Sequence, residues 1–389
     1  MNTTLTAGMS SILLLVFMPF PAAASSVPAA PAAGSVLPDP FQEEPPLTPE
    51  KNRHPYLEIH GDYRWLCGKG RFSAHTPDLQ QNRWTRREEK AYRSQRRLRL
   101  FSTLHTSADT RLKWMLEDKR DSKDPADEHH LSLARLYLES ENEHSKWEAG
   151  RFNYYLLDGN VIDKRVDGIR ASFGSARKKP GRLTILAART TGRDGLRRKK
   201  GWSLLYDREE GKLKGRTAFL HFRNEDALPD SFPGLSSMGM LSGRSGSGFD
   251  RQEIWETLLE YRPDARWNLS LDLLQSRGSH DRDHYHENER GFVAAATCGQ
   301  LDEKKKGTWE AWVRYYDQPQ SSILYHTMDG DTKFFQRMGF KGWGVRLDYI
   351  VVPGLAWAVE GFALKNRKSG SLTRDFREYV LGTSLTAYF

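Results

Sequence analysis

Residues 57–65 of this 389-residue chain read Leu-Glu-Ile-His-Gly-Asp-Tyr-Arg-Trp, and this stretch shows the pattern that decides the fold. Apolar side chains alternate with Glu58, His60, Asp62 and Arg64. Successive side chains of a strand point to opposite faces, so a period of two predicts one apolar and one polar face. The same alternation returns at residues 111–117, 267–273, 309–315, 343–349 and 355–359.

Marking every such segment from Tyr56 onward predicts about sixteen strands. Their predicted starts are Tyr56, Tyr92, Thr110, Leu131, Lys146, Lys164, Arg182, Gly201, Lys212, Arg251, Ala265, Glu287, Gly307, Met338, Gly354 and Arg374. Among the connections, the long ones include Cys67–Lys90, Asp118–His130, Asn224–Asp250 and Asp317–Arg337. The short ones include His105–Asp109, Arg208–Gly211, Arg262–Asp264 and Val352–Pro353. Alternating long loops and short turns are typical of an outer-membrane barrel, with the turns on the periplasmic side.

The composition favours a barrel with a wet interior over a soluble core. Hydrophobic residues make up only 38 % and charged residues 28 %, yet aromatic residues reach 11 %. A disordered chain would lack those aromatic residues, and a soluble sandwich rarely places so many Trp and Tyr at strand ends. The sequence shows no repeat with a period of 20 to 50 residues, which argues against a solenoid or a propeller. The predicted fold is therefore all-β: a transmembrane, antiparallel, up-and-down β-barrel.

The amino-terminal sequence predicts an export signal. The apolar run Ser11–Phe20 has the length of a signal-peptide core, and Ala22-x-Ala24 suits signal peptidase, although no Lys or Arg precedes the run. The alternative is an uncleaved membrane anchor. We expect a signal peptide at residues 1–24, a Pro/Ala-rich periplasmic linker at 25–54 and the barrel at 55–389.

The formal net charge of +9 would suit a polyanionic partner. Export from the cytoplasm argues against nucleic acid, so the basic charge indicates lipopolysaccharide-facing loops or an anion-leaning pore. Cys67 and Cys298 lack metal-site spacing. The strand order places Cys67 at the external rim and Cys298 at the periplasmic one, so no bridge is expected.

The end of the chain resembles a bacterial assembly signal. Tyr379, Leu381, Leu385 and the terminal Phe389 fall on one face of the last strand. A closing strand that ends on Phe resembles the signal by which outer-membrane proteins are recognised. This resemblance implies the barrel-assembly machinery as a partner that contacts Phe389.

A second resemblance lies around the fifth and sixth strands. Gly150-Arg151-Phe152 ends one strand and residues 165–173, RVDGIRASF, open the next. These segments resemble those flanking the third external loop of sixteen-stranded general porins, with Ala171 where that family often has Tyr. The resemblance implies a bacterial outer-membrane location, a homotrimer and a third loop that narrows the pore. Here that loop is Asn153–Asp163, with Tyr154, Tyr155, Asp158 and Asp163 as constriction candidates. It is short, so the longer Cys67–Lys90 and Asn224–Asp250 loops are alternatives.

If the apolar face of each strand meets lipid, the other face lines the channel. This places a basic set on strands two to six: Arg97, Arg99, Arg111, Lys113, Arg135 and Arg170. An acidic set falls on strands ten to fifteen: Glu256, Glu260, Asp272, Asp348 and Glu360. Facing walls of opposite sign would create a transverse field and a weak preference for anions. Alternatively, these residues form salt bridges that hydrate and stiffen the wall.

An enzymatic role has little support. The only histidine-rich segment is His280–Glu287, where His284 and His286 would share a strand face and could hold a metal with Asp283 or Glu287. The simpler interpretation is a solvated polar loop. No nucleophile elbow, phosphate loop or HExxH motif occurs, so we expect neither an enzyme nor a cofactor. The predicted function is a porin for passive diffusion of small hydrophilic solutes. A substrate-biased channel for anions or acidic sugars and a non-conducting adhesin or structural barrel remain alternatives.

Overall fold

A computed structural model describes residues 55–78, 83–121, 131–191, 198–225, 249–280, 285–324, 339–367 and 374–389. The predicted signal peptide and linker lie outside these residues. Sixteen strands form one closed barrel in which each strand pairs antiparallel with its neighbours in sequence, and β1 pairs with β16. They are β1 Tyr56–Asp78, β2 Arg83–His105, β3 Thr110–Asp121, β4 Ser132–Glu141, β5 Ser145–Tyr155, β6 Asp163–Gly174, β7 Arg182–Thr190, β8 Lys199–Glu210, β9 Leu213–Asn224, β10 Arg251–Tyr261, β11 Trp267–His280, β12 Tyr285–Gln300, β13 Trp309–Gln318, β14 Phe340–Val352, β15 Leu355–Asn366 and β16 Arg374–Tyr388.

The prediction of a sixteen-stranded, up-and-down barrel is confirmed. Fifteen of the sixteen predicted starts fall within two residues of the observed ones. We call the end with the short connections and the carboxy terminus the turn end, and the opposite end the loop end.

The second predicted start was wrong. β2 begins at Arg83 rather than Tyr92, because β1 and β2 pair without interruption from Tyr56↔His105 to Asp78↔Arg83. The predicted loop Cys67–Lys90 is therefore mostly strand. Residues 83–91 read RWTRREEKA and lack the apolar alternation that would identify a strand from the sequence. Cys67 consequently lies within β1, away from its rim; it and Cys298 are free thiols.

The barrel closes at the carboxy terminus. The backbone N–H of Gly61 donates to the carbonyl of Phe389 over 2.7 Å, and the N–H of Phe389 donates back over 3.0 Å. A Cβ at position 61 would lie only 2.7 Å from the Phe389 ring, so Gly61 leaves room for the terminal side chain. Closure matters because an open strand edge cannot be hydrogen-bonded by lipid.

The outer face carries the apolar side chains that the alternation predicted. The large hydrophobic residues exposed on it include Leu57, Ile59, Trp65, Leu136, Leu138, Ile169, Ile185, Leu204, Leu271, Val313, Val345, Trp357 and Leu381. Such an exposed belt is what a barrel surrounded by lipid requires. In the described part of the chain, no helix is long and apolar enough to cross a membrane.

Candidate functional site: the barrel lumen

The third loop, residues 156–162 between β5 and β6, folds into the lumen. Its apolar side chains are almost fully buried: Leu156 is 1 % exposed, and Val161 and Ile162 are 0 % exposed. Within the loop, the N–H of Leu156 donates to the carbonyl of Ile162 over 3.1 Å, which keeps the turn tight. Despite its short length, the loop reaches deep into the barrel.

Hydrogen bonds tie the third loop to the far wall. The Nδ2 of Asn160 donates to Oδ2 of Asp272 on β11 over 2.8 Å. The Nε2 of Gln318, at the end of β13, donates to the carbonyl of Asn160 over 2.5 Å. At the base of the loop, the hydroxyls of Tyr154 and Ser203 on β8 are 2.6 Å apart. The loop therefore crosses the lumen and is held at both ends.

A second segment, residues 319–324 after β13, packs on the third loop. It contains a short 3-10 helix, Gln320–Ser322. The N–H of Leu324 donates to the carbonyl of Val161 over 3.0 Å. From β10, Nε2 of Gln252 donates to the carbonyls of Ser321 and Ile323 over 2.9 and 3.1 Å. The two inserted segments thus stabilise each other inside the barrel.

Together they cover an apolar part of the inner wall, which we call the packed side: the inward faces of β8–β13. Its fully buried hydrophobic residues include Ala218, Leu220, Phe222, Ile254, Leu258, Leu274, Val293 and Tyr316. They form one cluster with the apolar residues of the third loop. Removing this surface from water stabilises the inward position of the loop.

The inward faces of β1 and β2, which we call the open side, are different. Here the inward positions include Gly68 and Gly70, and a cavity lies against them, bounded also by Arg93, Glu360 and Gly382. Further toward the turn end, Arg97 and Arg99 project inward from β2 and are only partly buried. The open side therefore combines Gly68 and Gly70 with cations that water reaches, beside Leu66 and Phe72, which also line the cavity.

All six predicted basic residues project from inward-facing positions, but acidic neighbours hold several of them. Arg99 lies 2.7 Å from Asp62, and both Arg111 and Lys113 lie 3.1 Å from Glu139. Arg170 pairs with Glu148, and Arg135 is buried on β4. Local ion pairing therefore neutralises much of the predicted basic wall.

The predicted acidic residues also project inward, and all are buried. Glu256 is 0 % exposed on the packed side, next to Asp272, which accepts the Asn160 hydrogen bond. Glu260 pairs with Arg216 over 2.8 Å. Asp348 and Glu360 both bind Arg346, over 2.7 and 3.2 Å. The opposing charges of the two walls are thus mostly compensated by near neighbours.

Sequence reasoning missed the acidic partners on the basic wall, Glu117, Glu139 and Glu148. Glu117 lies 2.6 Å from Arg165 at the base of the third loop, so it helps to hold that loop. These residues occupy the same alternating positions as the predicted cations. Listing the acidic as well as the basic residues at the inward-facing positions of every strand would have identified them.

The predicted constriction residues and the two candidate metal-binding histidines lie in separate parts of the chain. Asp158 lies 3.9 Å from both Arg216 and Arg314, and Asp163 accepts a 2.8 Å hydrogen bond from Asn153. Tyr155 ends β5 beside the loop. His284 lies outside the described residues, and His286 is exposed on β12. Within the described ranges, no three His, Cys, Asp or Glu side chains converge as metal ligands.

Solved structures share this architecture. OprB of Pseudomonas putida aligns with a TM-score of 0.51 at 10 % identity, covering 86 % of this chain and 94 % of its own. The anion-selective porin of Comamonas acidovorans aligns with a TM-score of 0.51 at 11 % identity, covering 86 % and 100 %. A loop L8 deletion mutant of Vibrio cholerae OmpT gives 0.50 at 12 %, covering 86 % and 99 %.

No family model matches the chain, and no curated protein sequence matches it. Identities of 10 to 12 % show a shared fold. The resemblance to sixteen-stranded porins that the sequence predicted is therefore confirmed at the level of the fold: this chain forms a closed sixteen-stranded β-barrel like that of these porins.

Proposed function

We propose that this protein is an outer-membrane channel for passive diffusion of small hydrophilic solutes and ions. The observation that carries the proposal is a closed barrel whose third loop fills one side of the lumen, while the inward-facing Arg97 and Arg99 of the open side stay partly exposed. A barrel that only needed stability could pack its whole interior. On β1, Gly68 and Gly70 leave a small cavity between the bulkier inward-facing Leu66 and Phe72.

We further propose a weak preference for anions. Arg97 and Arg99 project inward and are partly exposed, whereas the acidic Glu256 and Asp272 lie buried beneath the third loop. A cation near a narrow aqueous path attracts anions because low-dielectric walls focus its field. The porin of Comamonas acidovorans, which shares this fold, is anion-selective, and this is compatible with the proposed preference.

Planar-bilayer recording of the refolded protein tests both proposals. We expect single-channel conductance and, under a KCl gradient, a reversal potential on the anion side. The double substitution Arg97→Gln/Arg99→Gln should move that potential toward cations. The matched control, Lys90→Gln/Arg96→Gln, removes two cations of the same strand that face outward, and should leave it unchanged. Clear cation selectivity of the unmodified protein would contradict the anion proposal.

A non-conducting adhesin or structural barrel is the second candidate, and the apolar cluster inside the lumen favours it. The absence of conductance in correctly folded protein would support that function over a channel. Conductance that saturates with one anionic solute or acidic sugar would instead indicate a substrate-biased channel. Lipid hydrolysis by the purified protein would reopen an enzymatic role, which we do not propose.

The cellular context is proposed from the sequence. We propose that residues 1–24 are a signal peptide and that residues 25–54 form a periplasmic linker. We also propose assembly through recognition of the closing strand at Phe389, contact with outer-membrane lipid and lipopolysaccharide, and a homotrimer. Mass spectrometry of the mature amino terminus, and cross-linking in intact membranes, would test these points.

A further inference from the structure

Glu256 and Asp272 form a pair of buried carboxylates on the packed side. The register places Glu256 of β10 opposite Leu274 of β11, and Asp272 opposite Leu258. The two acidic side chains therefore occupy diagonal inward positions, about 7–8 Å apart at the backbone. Their carboxyl groups reach each other within hydrogen-bonding distance. Two carboxylates thus share one site beneath the third loop.

No cationic side chain neutralises this pair. In the described part of the chain, neither carboxylate forms an ion pair with a lysine, arginine or histidine. Arg216, on the neighbouring strand β9, is instead bound to Glu260 over 2.8 Å and to the carbonyl of Leu157 over 3.3 Å. Taking two ionised carboxylates out of water without a partner is costly. Their charge must therefore be removed by protons or balanced by a bound cation.

Two amide side chains bring further oxygens to the carboxylates. Nδ2 of Asn160, on the third loop, donates to Asp272, and Nε2 of Gln318 donates to the backbone carbonyl of Asn160. Each of these residues, like Glu256, is at most 1 % exposed. Five of their side-chain oxygens accept no hydrogen bond: Oε1 and Oε2 of Glu256, Oδ1 of Asp272, Oδ1 of Asn160 and Oε1 of Gln318. We call these four side chains the oxygen cluster. Buried polar atoms without a partner are rare, so this set indicates a ligand.

Neither a shared proton nor water satisfies the whole oxygen cluster. One proton between Glu256 and Asp272 would join one oxygen of each and leave the amide oxygens of Asn160 and Gln318 unpaired. Water molecules could donate to every oxygen but would leave two negative charges in a region of low dielectric. A divalent cation meets both requirements, because it binds several oxygens at once and balances two carboxylates.

We propose that the oxygen cluster binds one Ca²⁺ ion, which fastens the third loop to β10 and β11. Ca²⁺ takes six to eight oxygen ligands from carboxylates, amide carbonyls and water, in a flexible geometry. Mg²⁺ demands a near-ideal octahedron and keeps several waters, which does not suit a cluster excluded from solvent. Zn²⁺ prefers nitrogen and sulfur ligands, and the cluster offers oxygen. Only two of the ligands are acidic, so carboxylates alone would not identify this site.

Metal analysis of the full chain refolded in detergent tests the site. The protein is refolded with millimolar CaCl₂, freed of loose ions by gel filtration, and its calcium is measured by atomic emission. We expect about one Ca²⁺ per barrel in the unmodified protein. Glu256→Gln/Asp272→Asn keeps the shapes of both side chains but removes their charge, and should retain less than about a tenth of that calcium.

A matched control changes a second pair of inward carboxylates. Glu310 on β13 lies opposite Asp348 on β14, and Asp348 is bound to Arg346 over 2.7 Å. Because this pair already has a basic neighbour, Glu310→Gln/Asp348→Asn should retain as much calcium as the unmodified protein. Heat-modifiable gel mobility shows that each variant is folded.

A gain of charge tests the same site in the opposite direction. Asn160→Asp adds a third carboxylate to the oxygen cluster, so its refolding yield should fall severalfold in EGTA and recover in CaCl₂. Asn268→Asp is the matched control: its side chain lies 3.4 Å from Glu260, which is bound to Arg216. A basic partner is therefore at hand, and its yield should be the same in both solutions.

Three results would overturn the proposal. Equal calcium in both double variants would mean adventitious surface binding only. A folded, unmodified protein without calcium would point to a shared proton between Glu256 and Asp272. Equal yields of Asn160→Asp in EGTA and CaCl₂ would exclude the third loop as part of the site. Calcium content is measured without conductance, so failure here leaves the channel proposal untouched.

Discussion

The packed side and the open side of the lumen are built from strands with the same alternation, yet they have opposite properties. On the packed side, Phe222, Ile254 and Leu258 are 0 % exposed beneath the third loop. On the open side, the inward positions carry Gly68, Gly70 and partly exposed arginines such as Arg97, and the ring of Phe72 is only partly buried. In a barrel, inward-facing does not mean water-facing, because a loop inserted from above decides which part of the wall stays wet.

The comparison also explains how charges are distributed. Acidic residues on the packed side are shielded by the loop, and their cationic neighbours hold them locally, as Arg216 holds Glu260. Cations on the open side keep contact with water even where they are paired, as Arg99 is with Asp62. Solutes that cross the barrel would meet the open side. The charges of that side would therefore affect permeation more than the summed charge of each wall does.

The largest expected effect comes from opening a void on the packed side. Phe222→Ala should lower the free energy of unfolding by about 3–5 kcal/mol, because a fully buried aromatic side chain is lost and its cavity remains. Phe72→Ala, on β1 where the ring is only partly buried, should cost clearly less. Denaturant unfolding in lipid vesicles, followed by tryptophan fluorescence, measures both. Equal losses would show that the two sides are packed alike.

The tie between the third loop and the far wall should have a smaller effect on stability. Asn160→Ala leaves Asp272 without its 2.8 Å hydrogen bond and should cost about 1–3 kcal/mol. The loosened loop should also raise single-channel conductance. Asn153→Ala is the matched control, since Asn153 bonds to Asp163 within the same hairpin and not across the lumen. An identical conductance change in the control would argue against an anchoring role for Asn160.

Narrowing the open side should reduce conduction without unfolding the barrel. A Cβ at Gly68 would meet its nearest atom at 3.4 Å, so Gly68→Leu can be accommodated and should roughly halve single-channel conductance. Gly361→Leu adds the same side chain on the lipid-facing side, with a nearest atom at 3.6 Å. Conductance should not change there. Unaltered conductance in Gly68→Leu would place the passage elsewhere.

The smallest effect is expected outside both sides, in the turn between β12 and β13. There a hydrogen bond from Lys305 lowers the pKa of Asp302, and the two charges lie 3.1 Å apart. A carboxyl whose pKa is lower in the folded state than in the unfolded state stabilises the fold at pH values above its unfolded-state pKa. This stabilisation is lost as the pH falls through the folded-state pKa. Because the pair is solvent-exposed, Asp302→Asn should cost only about 0.5 kcal/mol or less at pH 7. The difference from the unmodified protein should vanish in acid; a difference that persisted there would exclude the ion pair as its source.

Local patterns of residues were enough to predict the strands, their order and the closure of the barrel. In lipid every backbone group must pair within the protein, and each strand must present apolar side chains to the hydrocarbon. These requirements act on adjacent residues, so they are visible as a period of two. The exception is β2, where residues 83–91 rise beyond the apolar belt and lose that period.

The contents of the lumen depended on contacts between distant parts of the chain. Asn160 and Asp272 are 112 residues apart in sequence, and Gln318 lies 158 residues from the carbonyl that it binds. No alternation could indicate that a short third loop would reach β11, or that Glu139 and Glu148 would neutralise the arginines and lysines beside them. The outer face is determined by a solvent, lipid, that is the same along every strand. The inner face is determined by which distant side chains meet there, and only the folded barrel brings them together.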